Sequence, residues 1–386
     1  MCIFGTRPEA IKMSPVIKEI RKYPEWFDVN VVVTGQHKEQ LFQVLNHFDI
    51  QPDIDLNLMA ENQTLSSFTS LAINELDNVL NEKKPDLVLV HGDTQTTLCG
   101  AFVAFLHRVP IGHVEAGLRS YKKYSPWPEE INRKMVDVVT DLLFTPTMNN
   151  RENLLAEGYQ PEQIFVTGQT AIDAAILTYQ QDHTFEDPFF NRFDFKRKKM
   201  ITVTFHRREN YGSPIKNIFL SIRKIVENHP NVTIVFPVHL NPRVREYIDE
   251  ILAGHCRIIL LDPLAYPDMI NLLARSDLII TDSGGLQEEA VLFQKPLIIT
   301  RDSTERPEAI ADGVGYLAGT DQKKIYNLTK GVLTGPNTFN KTINYDKNPF
   351  GDGNASKRIV SVITHYFDFT SELPIEFSDK NLIMDL

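Results

Sequence analysis

Short runs of β-branched and aliphatic residues recur along the chain. They lie at Val29–Thr34, Leu87–Val90, Ile111–Val114, Leu142–Phe144 and Ile164–Val166, and again at Met200–Phe205, Thr233–Val238, Ile258–Leu261, Leu278–Thr281 and Leu297–Thr300. Between them, apolar positions fall at helical spacing. Apolar runs without polar alternation, separated by helical stretches, predict parallel strands covered on both faces by crossover helices. The segment Asp182–Lys199 interrupts this rhythm with aromatics and charges and reads as a connection between two doubly wound α/β domains. On this reading a Rossmann-like domain covers 1–168 and a second covers 169–351. A helix at 352–368 packs back on the first domain, and 369–386, mixing acids, Pro and Ser, is a loose tail. The first strand, Met1–Phe4, is short for one that leads into a ligand-binding turn.

Two strand-to-helix junctions stand out. Phe4-Gly5-Thr6-Arg7-Pro8-Glu9-Ala10-Ile11-Lys12 opens the chain, and Thr281-Asp282-Ser283-Gly284-Gly285-Leu286-Gln287-Glu288-Glu289 follows a later strand. Each opens a helix whose free amides can hold an anion. Glu289 lies one helical turn beyond Gly285, on the face that points back to the same pole. A diphosphate at the amides and a ribose diol at the carboxylate fit this arrangement, so the two halves are expected to share a nucleotide diphosphate.

At 386 residues and 42% apolar composition, the chain exceeds what one core usually organises. A net charge of −10 without a long basic stretch argues against a nucleic-acid partner. Cys2, Cys99 and Cys256 form no C-x-x-C pair, which suits a reducing cytoplasm. No apolar run approaches the roughly 18 residues of a membrane span. Arg7, Glu9 and Lys12 stand where a secretion signal would need apolar residues. The expectation is a soluble, cytoplasmic protein without a membrane partner.

The candidate chemistry sits at strand ends, because the carboxyl ends of parallel strands line the ligand crevice. Asp93, in His91-Gly92-Asp93, and Glu115, in His113-Val114-Glu115, end two predicted strands. Asp93 could instead cap the next helix, and Glu115 could pair with Arg119. The loop Tyr124–Arg133 carries two prolines and places Glu129 and Glu130 at a helix start, with Trp127 read as a packing anchor. Glu129 would add the third carboxylate that proton transfer at an unactivated carbon requires. After the strand Met200–Thr204 come His206 and Arg207, able to meet a diphosphate or a leaving-group charge, or to form a surface salt-bridge cluster with Glu209. His239 follows another strand, and Arg306 precedes a helix and aims at the pole of Ser283.

Phe4–Lys12, Val90–Thr97, His113–Ser120, Tyr124–Arg133, His206–Asn210, Pro237–Pro242, Thr281–Ala290, Arg301–Glu308 and Asn348–Gly353 together resemble, in order, the bacterial non-hydrolysing UDP-N-acetylglucosamine 2-epimerases. The resemblance spans nearly the whole chain. It implies a GT-B arrangement of two Rossmann-like domains with the UDP-sugar in a cleft, and reversible inversion at C2 of UDP-GlcNAc to UDP-ManNAc without metal or nicotinamide. In such enzymes UDP leaves anti to the C2 proton, 2-acetamidoglucal forms, and UDP re-adds. By motif, Arg7 and His206 would meet the diphosphate, Ser283, Gly284 and Gly285 would donate to phosphate, and Glu289 would hold the ribose. Asp93, Glu115 and Glu129 would share the C2 acid and base roles, with Lys12, Arg133 and Arg306 completing the polar lining. A homodimer and a role in cell-surface polysaccharide supply are family expectations.

Some positions depart from the family pattern: Phe205 replaces a small residue, Gln169 an asparagine, Val291-Leu292-Phe293 a Pro-Ser-Leu, and Met269 an aromatic. Phe205 threatens to displace His206. A second UDP-GlcNAc acting as activator would use Gln36, Glu129, Arg207 and His239, whereas Glu39 and Asn62 differ from regulated members. Rival readings on the same fold are a hydrolysing epimerase, a GT-B glycosyltransferase and a non-catalytic UDP-sugar-binding regulator.

Overall fold

In the first of two units, Met1–Ile176 with Phe350–Leu386, the apolar runs become strands β1 (Cys2–Phe4), β2 (Val31–Val33), β3 (Ile54–Asp55), β4 (Val88–His91), β5 (Ile111–Val114), β6 (Leu142–Thr145) and β7 (Ile164–Val166). They pair in parallel in the order β3-β2-β1-β4-β5-β6-β7. In the second unit, Leu177–Pro349, β8 (Lys199–Thr204), β9 (Val232–Pro237), β10 (Ile258–Leu261), β11 (Leu278–Thr281), β12 (Leu297–Ile299) and β13 (Gly315–Leu317) follow the order β10-β9-β8-β11-β12-β13. The computed structural model describes residues 1–35, 38–60, 62–205, 212–238, 242–311, 313–335 and 348–378. In both sheets the order reverses beside the first strand, between β1 and β4 and between β8 and β11. Doubly wound sheets open their ligand crevice at such a switch point.

Burial explains the continuous apolar runs. Ile3, Val32, Val88 and Val90 of the first sheet, and Ile201, Ile234, Ile280 and Ile298 of the second, are fully enclosed between helix layers. Phe205 does not crowd the strand end. Its ring enters the core of the second unit and meets Phe219 and Phe236 edge to face, with centroids 5.7 and 5.9 Å away.

Two connections differ from expectation. Asp182–Lys199 is no linker: Phe185, Phe190 and the flanking aromatics pack on Met200, Val235 and Leu272. The Arg275 guanidinium lies 4.9 Å from the Phe185 ring centroid. The chain after Phe369 is also held down over its described part. Phe377 is buried and its amide donates to Val166 O on the edge strand β7, while the Glu376 carboxylate receives the Val166 amide and Arg151. An edge strand left bare invites pairing with another chain, and this segment covers part of it.

The helix Ala355–Tyr366 packs on the helix Arg7–Ile20 within the first unit. Asn354 supplies no side-chain cap. Asp173 does so from afar, its carboxylate receiving the amides of Ala355 and Ser356 and the Ser356 hydroxyl. Among the described residues, no helix is long and apolar enough to cross a membrane.

Candidate active site

The first junction is a capping box. Thr6 caps the helix Arg7–Ile20, and Glu9 reaches back to the Gly5 and Thr6 amides at 3.1 and 2.7 Å. The other Glu9 oxygen receives the Thr94 and Thr97 hydroxyls at 2.7 and 2.9 Å, so one buried carboxylate binds the starts of two helices. This corrects the expectation of an open anion site here. The box takes the amides of Gly5, Thr6 and Glu9, and Pro8 has none. What the junction presents is the side chain of Arg7, at the first helical position, and that of Lys12 further along.

Glu115 follows β5 in the left-handed region, with φ +72°. For a residue with a side chain this costs about 1–2 kcal/mol, and such strain clusters at functional sites. The turn is fixed by the amides of Glu115 and Ala116, which both donate to Phe144 O at 3.1 and 3.0 Å. Gly117 completes it at φ +82°, where an added Cβ would stand 2.4 Å from Asn150 O. The carboxylate is thereby brought to Lys12 Nζ and to Gln169 Nε2 (2.5 Å), both on Oε2. The Lys12 and Glu115 side chains are only 9% and 8% exposed, so removing either partner would cost about 3–5 kcal/mol. Arg119 does not pair with Glu115. It binds Glu157 and Asp137 instead.

Asp93 does not cap the following helix, because Thr94 does. Its carboxylate receives Arg133 Nη2 at 2.5 Å. Arg133 lies on the helix Glu129–Val139, which begins at Glu129. The neighbouring Glu130 is structural: it accepts from the Ser120 and Tyr121 amides at 2.9 Å and ties down the loop between β5 and this helix. Trp127 is 61% exposed and anchors no core.

Beneath these groups runs a buried chain of charge. His113 faces two acceptors, Asp137 Oδ1 at 2.6 Å and Gly92 O at 2.7 Å, and Asp137 also meets Arg119. Burial favours protonation of Asp137, yet His113 and Arg119 outweigh it and hold the group below its ordinary value. Burial likewise opposes the charge on Arg119, and the Glu157 and Asp137 carboxylates reverse that and raise its pKa. This chain fixes the Gly92 backbone next to Asp93.

In the second unit, Ser283, Gly284 and Gly285 form the start of the helix Gly285–Leu292, which has no side-chain cap. Gly284 is required by close approach, since a Cβ there would lie 2.7 Å from Arg306 Nη1. A Cβ at Gly285 would meet nothing within 4 Å. Arg306 is buried and donates to Glu288 Oε1 at 2.5 Å and Glu305 Oε1 at 2.9 Å, while Arg301 takes the other Glu305 oxygen. Thr304 bonds Gln287 and accepts the Arg306 amide. Glu289 is buried on the same helix. The result is a helix start beside a fixed guanidinium, a combination suited to a phosphate. Met269 packs with Leu273, Ile279 and Leu286.

Within the first unit the structure thus joins Lys12 with Glu115 and Asp93 with Arg133. Within the second it joins Ser283, Gly284 and Gly285 with Arg306. Gln36, His206, Arg207 and His239 lie outside the described residues. Sequence reasoning missed how Glu9, Glu130, Glu288 and Glu305 act; the Thr6-x-x-Glu9 spacing of a capping box was the available signal for Glu9, and the contacts of the other three have no local signature.

Comparison with known proteins gives a consistent picture. The family model described as UDP-N-acetylglucosamine 2-epimerase matches residues 18–364. A Bacillus subtilis UDP-N-acetylglucosamine 2-epimerase is 48% identical over 380 residues, covering 98% of each chain. The structure titled S. aureus MnaA-UDP co-structure superposes with a TM-score of 0.91 at 46% identity, over 98% of this chain and 99% of that one. UDP-GlcNAc 2-epimerase from Neisseria meningitidis bound to UDP-GlcNAc gives 0.90 at 43%, over 94% and 99%. With its paired Rossmann-like sheets and the groups clustered at their switch points, the chain belongs to the UDP-N-acetylglucosamine 2-epimerase family.

Proposed function

We propose that the protein interconverts UDP-GlcNAc and UDP-ManNAc by non-hydrolysing epimerisation. A carboxylate removes the C2 proton. The C–H electron pair becomes the C1=C2 double bond as the C1–O bond breaks, and its electrons leave on the UDP oxygen. 2-Acetamidoglucal and UDP result. Protonation of C2 on the opposite face and return of the UDP oxygen to C1 complete the inversion, with no net change of oxidation state. Asp93, Glu115 and Glu129 share the proton transfers. Arg7 and His206 serve the diphosphate and its leaving oxygen, with Lys12 and Arg133 completing the polar lining. Ser283, Gly284, Gly285 and Arg306 hold phosphate, and Glu289 the ribose.

The observation that carries this reading is Glu115, strained at φ +72° and brought to Lys12 at a strand end beside that of Asp93. Backbone strain of this kind clusters at active sites and ligand clamps, and the buried pairing with Lys12 sets this one at a carboxylate suited to proton transfer. The proposal extends to supply of ManNAc units for cell-surface polysaccharide in the cytoplasm, and to activation by a second UDP-GlcNAc through Gln36, Arg207 and His239. It extends as well to a homodimer. Phe105 and Leu106 at the end of the helix Gln95–Leu106, and Met135 and Val138 on the neighbouring helix Glu129–Val139, are all at least 50% exposed, an apolar face of the kind that dimers cover.

Proton NMR with UDP-GlcNAc in D2O tests the chemistry. Deuterium at C2, a new UDP-ManNAc signal and no free sugar are expected. Accumulating UDP with free ManNAc would make the protein a hydrolysing enzyme, and an unchanged spectrum with demonstrable UDP binding would leave a transferase or regulator.

A further inference from the structure

His91 ends β4, is 3% exposed, and has no hydrogen-bond partner at either ring nitrogen among the described residues. Leaving a buried polar group unsatisfied is costly, and native folds retain few of them. The other strand-end histidine behaves differently, since both nitrogens of His113 are bonded. His91 Nε2 stands 3.6 Å from Oε2 of Glu115, just beyond hydrogen-bond reach. That same oxygen takes Lys12 and Gln169. Among the described residues, Lys12 from the helix Arg7–Ile20 bonds Glu115, and Asp93, two residues after His91, is bonded to Arg133.

We propose that His91 is a positioning residue for Glu115, giving its carboxyl group a second station. The ionised carboxylate is held by Lys12. Once Glu115 carries a proton, that attraction falls away, and a shift of about 0.7 Å brings the carboxyl group into a hydrogen bond with Nε2. The imidazole then holds the spent group in place until the proton leaves, which preserves geometry through the return half of the cycle. No proton need pass to His91.

The inference rests on the proposed role of Glu115, and the test separates the two. Wild-type protein, His91→Phe and His91→Gln are assayed for kcat, KM and the pH profile of C2 exchange, with UDP binding and thermal melting as checks on folding. For His91→Phe, kcat is expected to fall about 10-fold or more with KM changed less than about 3-fold, and one limb of the kcat profile to move. His91→Gln, whose side-chain oxygen can accept the carboxyl O–H where Nε2 did, is expected to recover most of the loss. Independently of turnover, the His91 imidazole is titrated by NMR in wild type and in Glu115→Gln, where its midpoint is expected to differ. Wild-type kcat and profile in His91→Phe would overturn the proposal. So would a loss that His91→Gln fails to recover together with an imidazole midpoint indifferent to Glu115→Gln. If His91→Phe does not fold, His91→Gln and the imidazole titration decide. Wild-type protein that exchanges no C2 proton refutes the role of Glu115, while the titration still decides whether the two side chains are coupled.

Discussion

Replacing Glu9 by glutamine and by alanine separates what its charge contributes from what its hydrogen bonds contribute. One carboxylate oxygen holds the Gly5 and Thr6 amides, which cannot reorient; the other holds the Thr94 and Thr97 hydroxyls, which can. Glutamine keeps its carbonyl on the amides and turns its NH2 toward the hydroxyls, which rotate to accept. It loses the interaction of a charge with two helix starts, about 0.3–1 kcal/mol each, and regains part of that by escaping the desolvation of a carboxylate. The expected net cost is about 0.5–1.5 kcal/mol. Alanine leaves two amides without partners at about 1–3 kcal/mol each, and takes the acceptor from the Thr94 and Thr97 hydroxyls at about 1 kcal/mol more. The expected cost is about 4–6 kcal/mol. At roughly 2–4 °C per kcal/mol for a unit of about 200 residues, glutamine lowers the melting temperature by about 1–6 °C and alanine by about 8–24 °C. Thermal melting followed by circular dichroism, with amide exchange at Gly5 and Thr6, reads both. If alanine costs under about 1 kcal/mol, or glutamine as much as alanine, the carboxylate is not the tie between the two helices.

Gly117→Ala, forced into the left-handed region against Asn150 O, should destabilise the protein by at least about 2 kcal/mol and lower turnover by moving the Glu115 turn; chemical denaturation and the C2 assay check it. Gly284→Ala should displace Arg306 and weaken UDP binding about 10-fold, whereas Gly285→Ala, with open space around the new methyl, should leave melting unchanged yet weaken UDP if phosphate closes on that helix start; calorimetric titration distinguishes them. The folded-state pKa of Asp137 is depressed, so its contribution to stability is fully present above the unfolded value near 4 and is lost as pH falls through the folded value. Asp137→Asn should therefore flatten the slope of unfolding free energy against pH below about 4, and cost about 3–5 kcal/mol at neutral pH by leaving His113 and Arg119 undercompensated.

Most of the fold is legible in the sequence because buried parallel strands must be apolar on both faces, as Val31–Val33 and Leu297–Ile299 are. The exceptions have local causes. β3, Ile54–Asp55, and β13, Gly315–Leu317, are too short to show a pattern and exist through pairing with β2 and β12. Asp182–Lys199 has the charges of a linker, but its phenylalanines at 185, 189, 190, 193 and 195 carry more apolar surface than a solvated connection would expose. That aromatic density was the available signal.

The acids are harder to sort, since only Glu9 carries a local signal, the Thr6-x-x-Glu9 spacing of a capping box, and nothing local distinguishes Glu115, Glu130 and Asp137. The sequence offered Arg119, four residues on, as an alternative partner for Glu115, but the left-handed turn at Glu115 sends the side chain to Lys12 instead. What separates these carboxylates is the donors each one meets. Glu9 and Glu130 each meet two backbone amides, partners that a change of protonation would strand, and Asp137 is locked between the His113 imidazole and the Arg119 guanidinium. Glu115 meets side chains that can move, one charged, one neutral and one imidazole a short step away. A carboxylate that must gain and lose a proton in each cycle needs partners that tolerate both states, and of these four only Glu115 is so placed among the described residues.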